Sequence, residues 1–363
     1  MLNKTVLITL DFPPNRGGVA RYLSHLATFF SDRLFVIAPP TNESDPHYPF
    51  TLIRQPLLFS LFWPHWIRSI WILWKKRKEY QQVLVSHLLP LGTAAWISSF
   101  ITHKPYLVIL HGMDMRLAFH HPFKRFLARK ILSRAKCVIV NSQALAQEVQ
   151  QHVHLRHLEV MYPCVDPIFF VETPRATPSD PSVLRLMTVS RLVPRKGHRL
   201  VLEALKRLRK EGIFSFTYNI YGDGPEATSL KAFVVAENLE DIVHFYPQAT
   251  DEQILVAYSQ SDLFVMPVVD DPQDKEGFGI VYIEAASQGL PAIATRISGV
   301  GEAVLDQETG VLISSGDIEA LCASIKDFLF HPEKRQAMGE KAKQRVCHEY
   351  IAAKQFKKLE PFL

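Results

Sequence analysis

Short, unbroken apolar runs alternate with segments of helical periodicity along most of the chain, and this alternation restricts the fold more than any other feature. Residues 5–10 form the first run. Apolar residues spaced three and four positions apart follow it, as on one face of a helix. Strands that are apolar throughout are typical of parallel sheets, because helices cover both faces of such sheets. Four further strands of the first half are predicted at 34–38, 83–86, 106–110 and 137–140. The sequence therefore predicts an α/β fold.

A proline-rich stretch divides the chain into two halves. Residues 163–181 contain five prolines together with Asp, Ser and Thr, a composition that is typical of a linker. We therefore predict two Rossmann-like domains that face a central cleft, at 1–165 and 183–348, joined by a linker at 166–182. Ligands of such sheets bind beyond the carboxyl ends of the strands. The second domain has strands predicted at 184–189, 216–221, 242–245, 263–266 and 292–294, and helices near 198–210, 225–237, 251–260 and 318–330.

Composition and charge exclude several classes of protein. With 363 residues, 47% of them apolar and 21% charged, the chain is able to bury two cores and is not a disordered protein. Its net charge of +5 suits an anionic ligand or a membrane surface, and no recognised nucleic-acid-binding motif accompanies this charge. The four cysteines lie far apart, without the spacing of a metal or redox site, which predicts a reduced cytosolic chain. The N-terminal residues lack the pattern of a signal peptide.

Two carboxylates, Glu276 and Glu284, bracket the start of a predicted helix. Glu276 lies in the loop before the helix, and Glu284 lies roughly two turns inside it. Gly277, Phe278 and Gly279 form the first turn, where free backbone N–H groups are suited to bind a phosphate. Carboxylates accept hydrogen bonds from hydroxyl groups, so this arrangement suits a sugar nucleotide. A glycosidase would also need two carboxylates, but a neutral sugar polymer makes no use of anion-binding amides.

Further candidate side chains follow other predicted strands. Gly17 and Gly18 come after the first strand, where paired glycines either expose backbone amides to a ligand or form a plain tight turn. Arg191 and Lys196 follow the strand at 184–189 and could bind a diphosphate, neutralising a departing phosphate without a metal. A solvated basic loop is the alternative interpretation.

Three more segments carry weaker signals. Arg195, which adjoins Lys196, is expected to face solvent. His111 follows the strand at 106–110, and its role is either structural or in the site. Residues 222–225 are expected to make the turn into a helix, and residues 298–302 to bring backbone amides near the cleft.

Taken in order, these motifs resemble those of the retaining glycosyltransferases of family 4, which have the GT-B fold. The likeness covers nearly the whole chain. It implies transfer of a hexose from a nucleotide diphosphate sugar, with retention at the anomeric carbon and without a bound metal. It also implies that a last helix, at about 349–363, crosses back onto the N-terminal domain. The residues that carry the likeness are Glu276 and Glu284 with seven residues between them, Gly17, Gly18, His111, Gly112, Arg191, Lys196 and the stretches 222–225, 308–310 and 338–340.

The resemblance also implies a role for each site residue. Glu284 would bind the ribose hydroxyls of the donor, and Glu276 would face the hydroxyls of the hexose. Arg191 and Lys196 would clamp the diphosphate, and His111 would contact the transferred sugar. A front-face displacement is implied, in which the departing phosphate oxygen takes the proton of the acceptor. Backbone amides would assist the clamp at Gly17, Gly18, Phe278, Gly279 and Ile280.

The acidic approach to Glu276, residues 270–274, resembles that of the mannosyltransferases that act on phosphatidylinositol mannosides. This likeness favours GDP-mannose over a UDP-hexose as donor, and a lipid-linked or cell-surface glycan as acceptor. Residues 299–302 depart from the family pattern because they lack its usual proline, which affects the local loop shape. Two alternatives are a sugar-nucleotide epimerase of the same fold and a degenerate, non-catalytic sugar-nucleotide-binding protein. The intact glutamate and Arg/Lys pairs argue against degeneration.

Two basic and aromatic segments lie in the predicted N-terminal domain, at 64–80 and 123–136. Their composition suits helices that lie on an anionic bilayer, and ordinary helices of a Rossmann layer are the alternative. The apolar stretch at 57–74 is interrupted by polar residues and by proline, and it is too short to span a bilayer. We therefore expect a cytoplasmic protein, either free or in peripheral contact with the membrane.

Overall fold

The computed structural model describes residues 4–15, 17–61, 63–171, 173, 182–271 and 276–363. The chain forms two compact units. The first unit consists of Met1–Cys164 together with Ala352–Leu363, and the second consists of Val165–Ile351.

The first unit is built on a sheet of parallel strands. The strands are β1 (Thr5–Thr9), β2 (Leu34–Ala38), β3 (Leu52–Arg54), β4 (Gln82–Ser86), β5 (Tyr106–Leu110), β6 (Cys137–Val140) and β7 (Leu158–Val160). They form one seven-stranded sheet in the order β3-β2-β1-β4-β5-β6-β7. The helices are α1 (Gly18–Phe29), α2 (Ile67–Lys75), α3 (Leu91–Thr102), α4 (Met113–His120), α5 (Pro122–Arg134) and α6 (Gln143–Gln150).

The predicted strands of this unit are confirmed, with shifts of one residue at the end of β1 and at the start of β4. Their apolar character is explained by two cores, one on each face of the sheet. Side chains of a strand alternate between its faces, so Val6 and Ile8 of β1 pack into one core and Leu7 into the other. The edge strands β3 and β7 were not predicted, because each has only three residues and all of them are half-buried.

The second unit repeats this plan. Its strands are β8 (Leu184–Val189), β9 (Phe216–Tyr221), β10 (Val243–Tyr246), β11 (Leu263–Met266), β12 (Ala292–Thr295) and β13 (Gly310–Ile313). They form a six-stranded parallel sheet in the order β10-β9-β8-β11-β12-β13. The helices are α7 (His198–Lys210), α8 (Ala227–Ala236), α9 (Asp251–Gln260), α10 (Ile280–Ser287), α11 (Val300–Ala303), α12 (Ile318–Phe330) and α13 (Pro332–Glu349). The prediction of two Rossmann-like halves is therefore confirmed.

Part of the predicted linker at 166–182 lies outside the described residues, which omit 172 and 174–181. Its first part forms a 3-10 turn at Pro167–Phe170 that belongs to the second unit. The Asp166 carboxylate caps this turn by accepting a 3.0 Å hydrogen bond from the Ile168 amide. Proline suits the first position of the turn, because its fixed φ fits helical backbone and its missing N–H needs no acceptor there.

The chain returns to the first unit after α13. The resemblance implied that a last helix from about residue 349 crosses back onto the N-terminal domain, and residues Ala352–Leu363 do belong to the first unit. They form a four-residue helix, α14 (Ala352–Gln355), followed by 3-10 turns at Phe356–Phe362. Pro361 lies inside these turns, and proline cannot continue an α-helix. Phe356 anchors the segment in the first unit, with its ring 5.7 Å from that of Tyr22 on α1.

In the part of the chain that the structure describes, no helix is both long enough and apolar enough to cross a membrane. The two basic and aromatic segments form α2 and α5, which belong to the first unit.

Candidate functional site

A buried ion cluster lies at the carboxyl edge of the second sheet, and we call it the Glu276 ion cluster. Lys196 Nζ lies 2.7 Å from Glu276 Oε2, and Arg195 Nη1 contacts the same oxygen. Glu276 comes a few residues before α10, and the two cations lie in the loop that follows β8. The structure therefore brings together Glu276 and Lys196, two of the residues that the sequence singled out.

The three charges of this cluster depend on one another because little solvent reaches them. Burial acts to raise the pKa of Glu276, but the attraction of Lys196 and Arg195 outweighs it and holds this pKa below its ordinary value. Burial lowers the pKa of Lys196, and the neighbouring Glu276 carboxylate opposes that change. Glu276 is therefore an ionised carboxylate at neutral pH.

The expectation that Arg195 faces solvent is wrong. Its side chain is only 15% exposed, because the guanidinium is directed at the Glu276 carboxylate. The backbone of the loop fixes this direction. Arg195 belongs to a 3-10 turn at Pro194–Lys196, and its carbonyl accepts a 2.7 Å hydrogen bond from the Val269 amide beyond β11.

Glycine is required at the end of this loop. Gly197 has φ +75°, and a Cβ atom placed there would lie 2.1 Å from the carbonyl oxygen of Pro267. A side chain at this position would therefore push the loop away from the end of β11. The close approach positions Lys196 for its contact with Glu276.

The residues at 222–225 turn the chain toward α8. They also support residues 190–197, the loop between β8 and α7, which we call the Arg191 loop. The Ser190 amide donates a 3.0 Å hydrogen bond to the carbonyl of Tyr221, and the Leu192 amide donates to the carbonyl of Asp223 in the loop after β9. Gly222 has φ +131°, and a Cβ atom there would lie 2.0 Å from the Ser190 carbonyl oxygen. Arg191 itself is exposed on this supported loop.

Helix α10 carries the second predicted glutamate. The helix begins at Ile280 after Gly279, without a side-chain cap, and Glu284 lies inside it, as predicted. Glu284 is buried and accepts a 3.4 Å hydrogen bond from Tyr258 Oη. Phe278, in the turn before the helix, is also buried and packs its ring 5.5 Å from that of Tyr350.

The loop at 298–302, which was expected to bring amides near the cleft, contacts the turn that follows Glu276. The Gly299 amide donates a 3.0 Å hydrogen bond to the Gly277 carbonyl. In the acidic approach at 270–274, residues 272–274 lie outside the described residues.

Sequence reasoning missed two features of this edge. The first is an open cavity of about 580 Å³ at the carboxyl ends of β9 and β10. The rings of Tyr221 and Tyr246 stack there, 4.6 Å apart and nearly parallel at 10°. Both tyrosines are the last residues of their strands, which is a usable signal, but the predicted strand at 242–245 stopped one residue short of Tyr246.

The second missed feature is His198, the first residue of α7. Its Nε2 atom lies 2.8 Å from the Ser190 hydroxyl. Burial lowers the pKa of His198 to about 4, so the ring is neutral at neutral pH and supports the Arg191 loop through a hydrogen bond.

In the first unit, His111 is held by two neighbours. Its Nε2 atom lies 2.8 Å from Ser86 Oγ at the end of β4, and its amide donates to the Asp114 carboxylate at 3.1 Å. Burial lowers the pKa of His111 to about 4, although Asp114 opposes this effect. The ring therefore acts as a neutral hydrogen-bonding group at neutral pH.

Gly17 and Gly18 mark the start of α1, where Gly17 is the exposed N-cap without a side-chain hydrogen bond. A Cβ atom at Gly17 would meet nothing within 4 Å, so open space adjoins the backbone here. Arg16, the residue before it, lies outside the described residues. Among the residues that the structure describes, no group of three metal-ligating side chains is found.

Each half of the chain matches a known protein family. Residues 172–345 match the family described as glycosyl transferases group 1, and residues 16–169 match glycosyltransferase family 4. The chain is 27% identical over 357 residues to a GDP-mannose-dependent alpha-(1-6)-phosphatidylinositol monomannoside mannosyltransferase of Mycolicibacterium smegmatis, covering 92% of this chain and 91% of that protein. It is 26% identical over 275 residues to WcaL of Escherichia coli, a putative colanic acid biosynthesis glycosyltransferase, covering 74% and 66% of the two chains. The structure of Anabaena HepE in complex with UDP is similar with a TM-score of 0.81 and 21% identity, over 99% of both chains.

Proposed function

Because this chain belongs to the family 4 glycosyltransferases and acts on a sugar-nucleotide donor, we propose that it transfers a hexose with retention of configuration and without a metal ion. The proposed donor is GDP-mannose, with a UDP-hexose as the alternative. The proposed acceptor is a lipid-linked or cell-surface glycan.

The Glu276 ion cluster is the observation that carries this proposal. Lys196 and Arg195 both contact Oε2 of Glu276, so we assign Oε1 to a hydroxyl of the hexose. Lys196 and the exposed Arg191 come from one loop, and we assign both to the diphosphate. The guanidinium of Arg191 would form paired hydrogen bonds with it, and the ammonium of Lys196 would act as a compact charge. Glu284 is assigned to the ribose hydroxyls.

Backbone amides complete the proposed diphosphate site. Helix α10 begins without a side-chain cap, and N–H groups at such a start bind phosphate well. We assign the amides of Phe278, Gly279 and Ile280 to this role, and those of Gly17 and Gly18 to a supporting one.

The proposed reaction is a front-face displacement. The bond between the anomeric carbon and the diphosphate oxygen breaks while the acceptor oxygen bonds to the same face of the sugar. The departing phosphate oxygen takes the acceptor's proton. Arg191 and Lys196 stabilise the negative charge that grows on the diphosphate, a task that a metal ion performs in other enzymes. His111, which is neutral at neutral pH, is assigned to a hydrogen bond with the transferred sugar.

The cavity beside Tyr221 and Tyr246 is assigned to the nucleobase. It adjoins the Arg191 loop through the hydrogen bond between Ser190 and Tyr221, so one nucleotide could reach both. Aromatic side chains stack on any base, which makes this cavity suitable for guanine or uracil. The similarity to a GDP-mannose-dependent protein supports guanine.

The acceptor side of the proposal includes peripheral contact with an anionic membrane through an aromatic surface of the first unit. We give this name to the exposed rings of two helices that both pack on α3: Trp63, Trp71 and Trp74 in and before α2, and Phe123 and Phe126 on α5. Trp63 is 85% exposed and Phe123 is 69% exposed. Cations lie beside these rings, with Lys75 Nζ 5.0 Å from the Trp71 ring. Aromatic and basic side chains together suit the boundary of an anionic bilayer.

A thermal-shift screen of GDP, UDP and ADP with their sugars tests the proposed function. A ligand that binds only the native state stabilises it by about 2.7 kcal/mol at a hundred times its Kd. We expect GDP and GDP-mannose to raise the Tm and Lys196→Ala to abolish this rise. Lys210→Ala, at an exposed position at the end of α7, serves as the control. No shift with any nucleotide would contradict the proposal. A shift with UDP alone would indicate that the donor is a UDP-hexose and not GDP-mannose.

A further inference from the structure

A second cavity, of about 410 Å³, lies in the first unit, and we call it the amino-edge cavity. Its lining residues come from the segments just before β5, β6 and β7, so it lies at the edge of the sheet where these strands begin. Its volume falls in the range of small-molecule sites. Its chemistry is set by His103, Lys104, Arg134, Lys136, Arg156 and His157.

The charge on the walls of this cavity is of one sign. Four cations line it, Lys104, Arg134, Lys136 and Arg156, and its lining includes neither Asp nor Glu. In the described part of the chain none of these four cations forms an ion pair with a carboxylate. A concave surface lined by charges of one sign concentrates the electrostatic potential and attracts counter-ions.

Neutral oxygen atoms hold the two lysines in place. Lys104 Nζ donates to the backbone carbonyls of Arg77 and Tyr80, between α2 and β4. Lys136 Nζ donates to the Phe362 carbonyl at 2.7 Å and to Gln82 Oε1 at 3.1 Å. An ammonium group has three donors, so each lysine retains one for a ligand. The carbonyls orient these lysines without cancelling their charge. Burial lowers the pKa of Lys104, and the charge of Arg77 adds to this effect.

The two arginines of the lining, Arg134 and Arg156, are exposed. Arg134 ends α5, and its guanidinium lies 4.1 Å from the centre of the Phe100 ring. Stacking on an aromatic face leaves the N–H edges of a guanidinium directed outward. Arg156 is exposed in the segment before β7 and also lines the cavity.

This cavity is separate from the residues assigned to sugar transfer. His111 follows the carboxyl end of β5, whereas Tyr106 of the cavity is the first residue of that strand. Five residues of extended strand span roughly 15 Å. A rival explanation is that the cations only neutralise the carboxyl ends of α3 and α5, where the helix dipole is negative.

We infer that the amino-edge cavity binds the phosphate groups of an anionic ligand. Arginine pairs recognise phosphate oxygens by two parallel hydrogen bonds, and the lysines add compact positive charge. The ligand is either a free diphosphate compound or the headgroup of an anionic lipid, since both present the same chemistry to the cavity.

Titration calorimetry with inorganic pyrophosphate tests the first source. The full chain is titrated in the presence of saturating GDP, which occupies the proposed donor site. We expect Arg134→Gln and Arg156→Gln each to weaken pyrophosphate binding about tenfold or more. Arg125→Gln, an equal loss of charge at an exposed position on α5 outside the cavity, should leave it unchanged. None of these residues is assigned to sugar transfer. The difference in pyrophosphate affinity between the cavity variants and Arg125→Gln is therefore expected even if GDP does not bind and the proposed function is wrong.

Flotation with phosphatidylcholine vesicles, with and without phosphatidic acid, tests the second source. A larger loss of phosphatidic-acid-dependent binding in the two cavity variants than in Arg125→Gln would assign the site to a lipid headgroup. Equal losses in all three variants would assign lipid binding to the basic surface of α5 and overturn the lipid source. Loss of pyrophosphate binding alone would assign it to a free ligand. The inference is overturned if the wild-type protein binds neither pyrophosphate nor the vesicles. It is also overturned if both cavity variants bind these probes as tightly as the wild-type protein and Arg125→Gln. A lower Tm of the variants without any effect on binding would establish the rival explanation.

Discussion

At the scale of single residues, Glu276 shows how burial determines what a charge does. An unpaired carboxylate in its position would be neutralised by protonation, because desolvation raises its pKa. Lys196 and Arg195 reverse that effect, and Glu276 in turn compensates the two buried cations. Removing one member of such a cluster leaves uncompensated charge, at a cost of about 3–5 kcal/mol.

Glu276→Gln is expected to separate transfer from nucleotide binding. The amide cannot accept hydroxyl hydrogen bonds as a carboxylate does, so we expect kcat to fall about a hundredfold. Arg191 lies outside the Glu276 ion cluster, and a bound diphosphate would itself compensate Lys196, so the Kd of GDP should change by less than about threefold. Steady-state transfer from GDP-mannose and calorimetric titration with GDP measure the two quantities. Transfer at the wild-type rate would show that the assigned role is wrong.

The same substitution also reports on stability. Glu203→Gln is a matched control, because Glu203 pairs with Arg199 at 2.9 Å on the exposed face of α7. An exposed pair contributes about 1 kcal/mol at most, so the control should lose much less free energy of unfolding than Glu276→Gln. Equal losses in urea unfolding would mean that burial does not strengthen the Glu276 ion cluster.

Residue types and spacing predicted two members of this cluster, Glu276 and Lys196. The third member, Arg195, depends on the direction of its side chain, which the sequence does not determine. Glu276 and Lys196 were recognised because they follow predicted strands or precede a predicted helix. Arg195 was misjudged because no periodicity determines where consecutive side chains of a 3-10 turn point. Tyr246 was missed because the predicted end of its strand fell one residue short.

At the scale of elements, the loops after β8 and β9 act as one unit. Hydrogen bonds join Ser190 to Tyr221 and Leu192 to Asp223, so the exposed Arg191 rests on a second loop. The contact depends on Gly222, whose backbone approaches the Ser190 carbonyl too closely for any side chain. The role of residues 222–225 thus extends beyond the turn that the sequence predicted.

Gly222→Ala is expected to displace the Arg191 loop. Its φ of +131° disfavours any side chain, and the new Cβ atom would clash with the Ser190 carbonyl. Backbone strain of this kind costs about 1–3 kcal/mol, and the clash adds to that cost. We therefore expect a lower free energy of unfolding together with a higher Kd for GDP, measured by urea unfolding and calorimetry.

Gly212→Ala provides the control for strain alone. Gly212 also has a positive φ, +83°, but a Cβ atom there would meet nothing within 4 Å. This variant should lose stability through backbone strain and bind GDP as the wild-type protein does. If both alanine variants weaken GDP binding equally, the Gly222 contact does not position Arg191.

Strands and helices were predictable where burial imposed a long, uniform pattern. The central strands are buried on both faces, so their apolar runs identified them within one residue. Edge strands β3 and β7 are too short to show a pattern. Helix α13 was missed because only four of its 18 residues are buried, so its surface is mostly charged. The returning segment after Ile351 was implied by resemblance alone.

At the scale of the whole molecule, the net charge of +5 is distributed unevenly. In the first unit, α5 carries five basic residues and no acid, and the amino-edge cavity adds Lys104, Lys136 and Arg156. In the second unit, basic and acidic side chains frequently pair, as Arg207 does with Glu319 and Arg209 with Asp241. The unpaired positive charge of the first unit accompanies its exposed aromatic rings, which argues for an anionic partner on that unit.

The double variant Trp71→Ala/Trp74→Ala tests whether that partner is a bilayer. Both side chains are about half exposed on α2, and burying one tryptophan-sized ring at a bilayer boundary contributes about 1 kcal/mol or more. We expect binding to vesicles that contain phosphatidylglycerol to fall about tenfold, and binding of the wild-type protein to weaken as salt screens the basic residues. Flotation measures both effects. Phe214→Ala removes an exposed ring, 60% accessible, from the second unit and should have no effect. Equal binding of all three proteins, or binding that salt does not change, would contradict membrane contact through the aromatic surface.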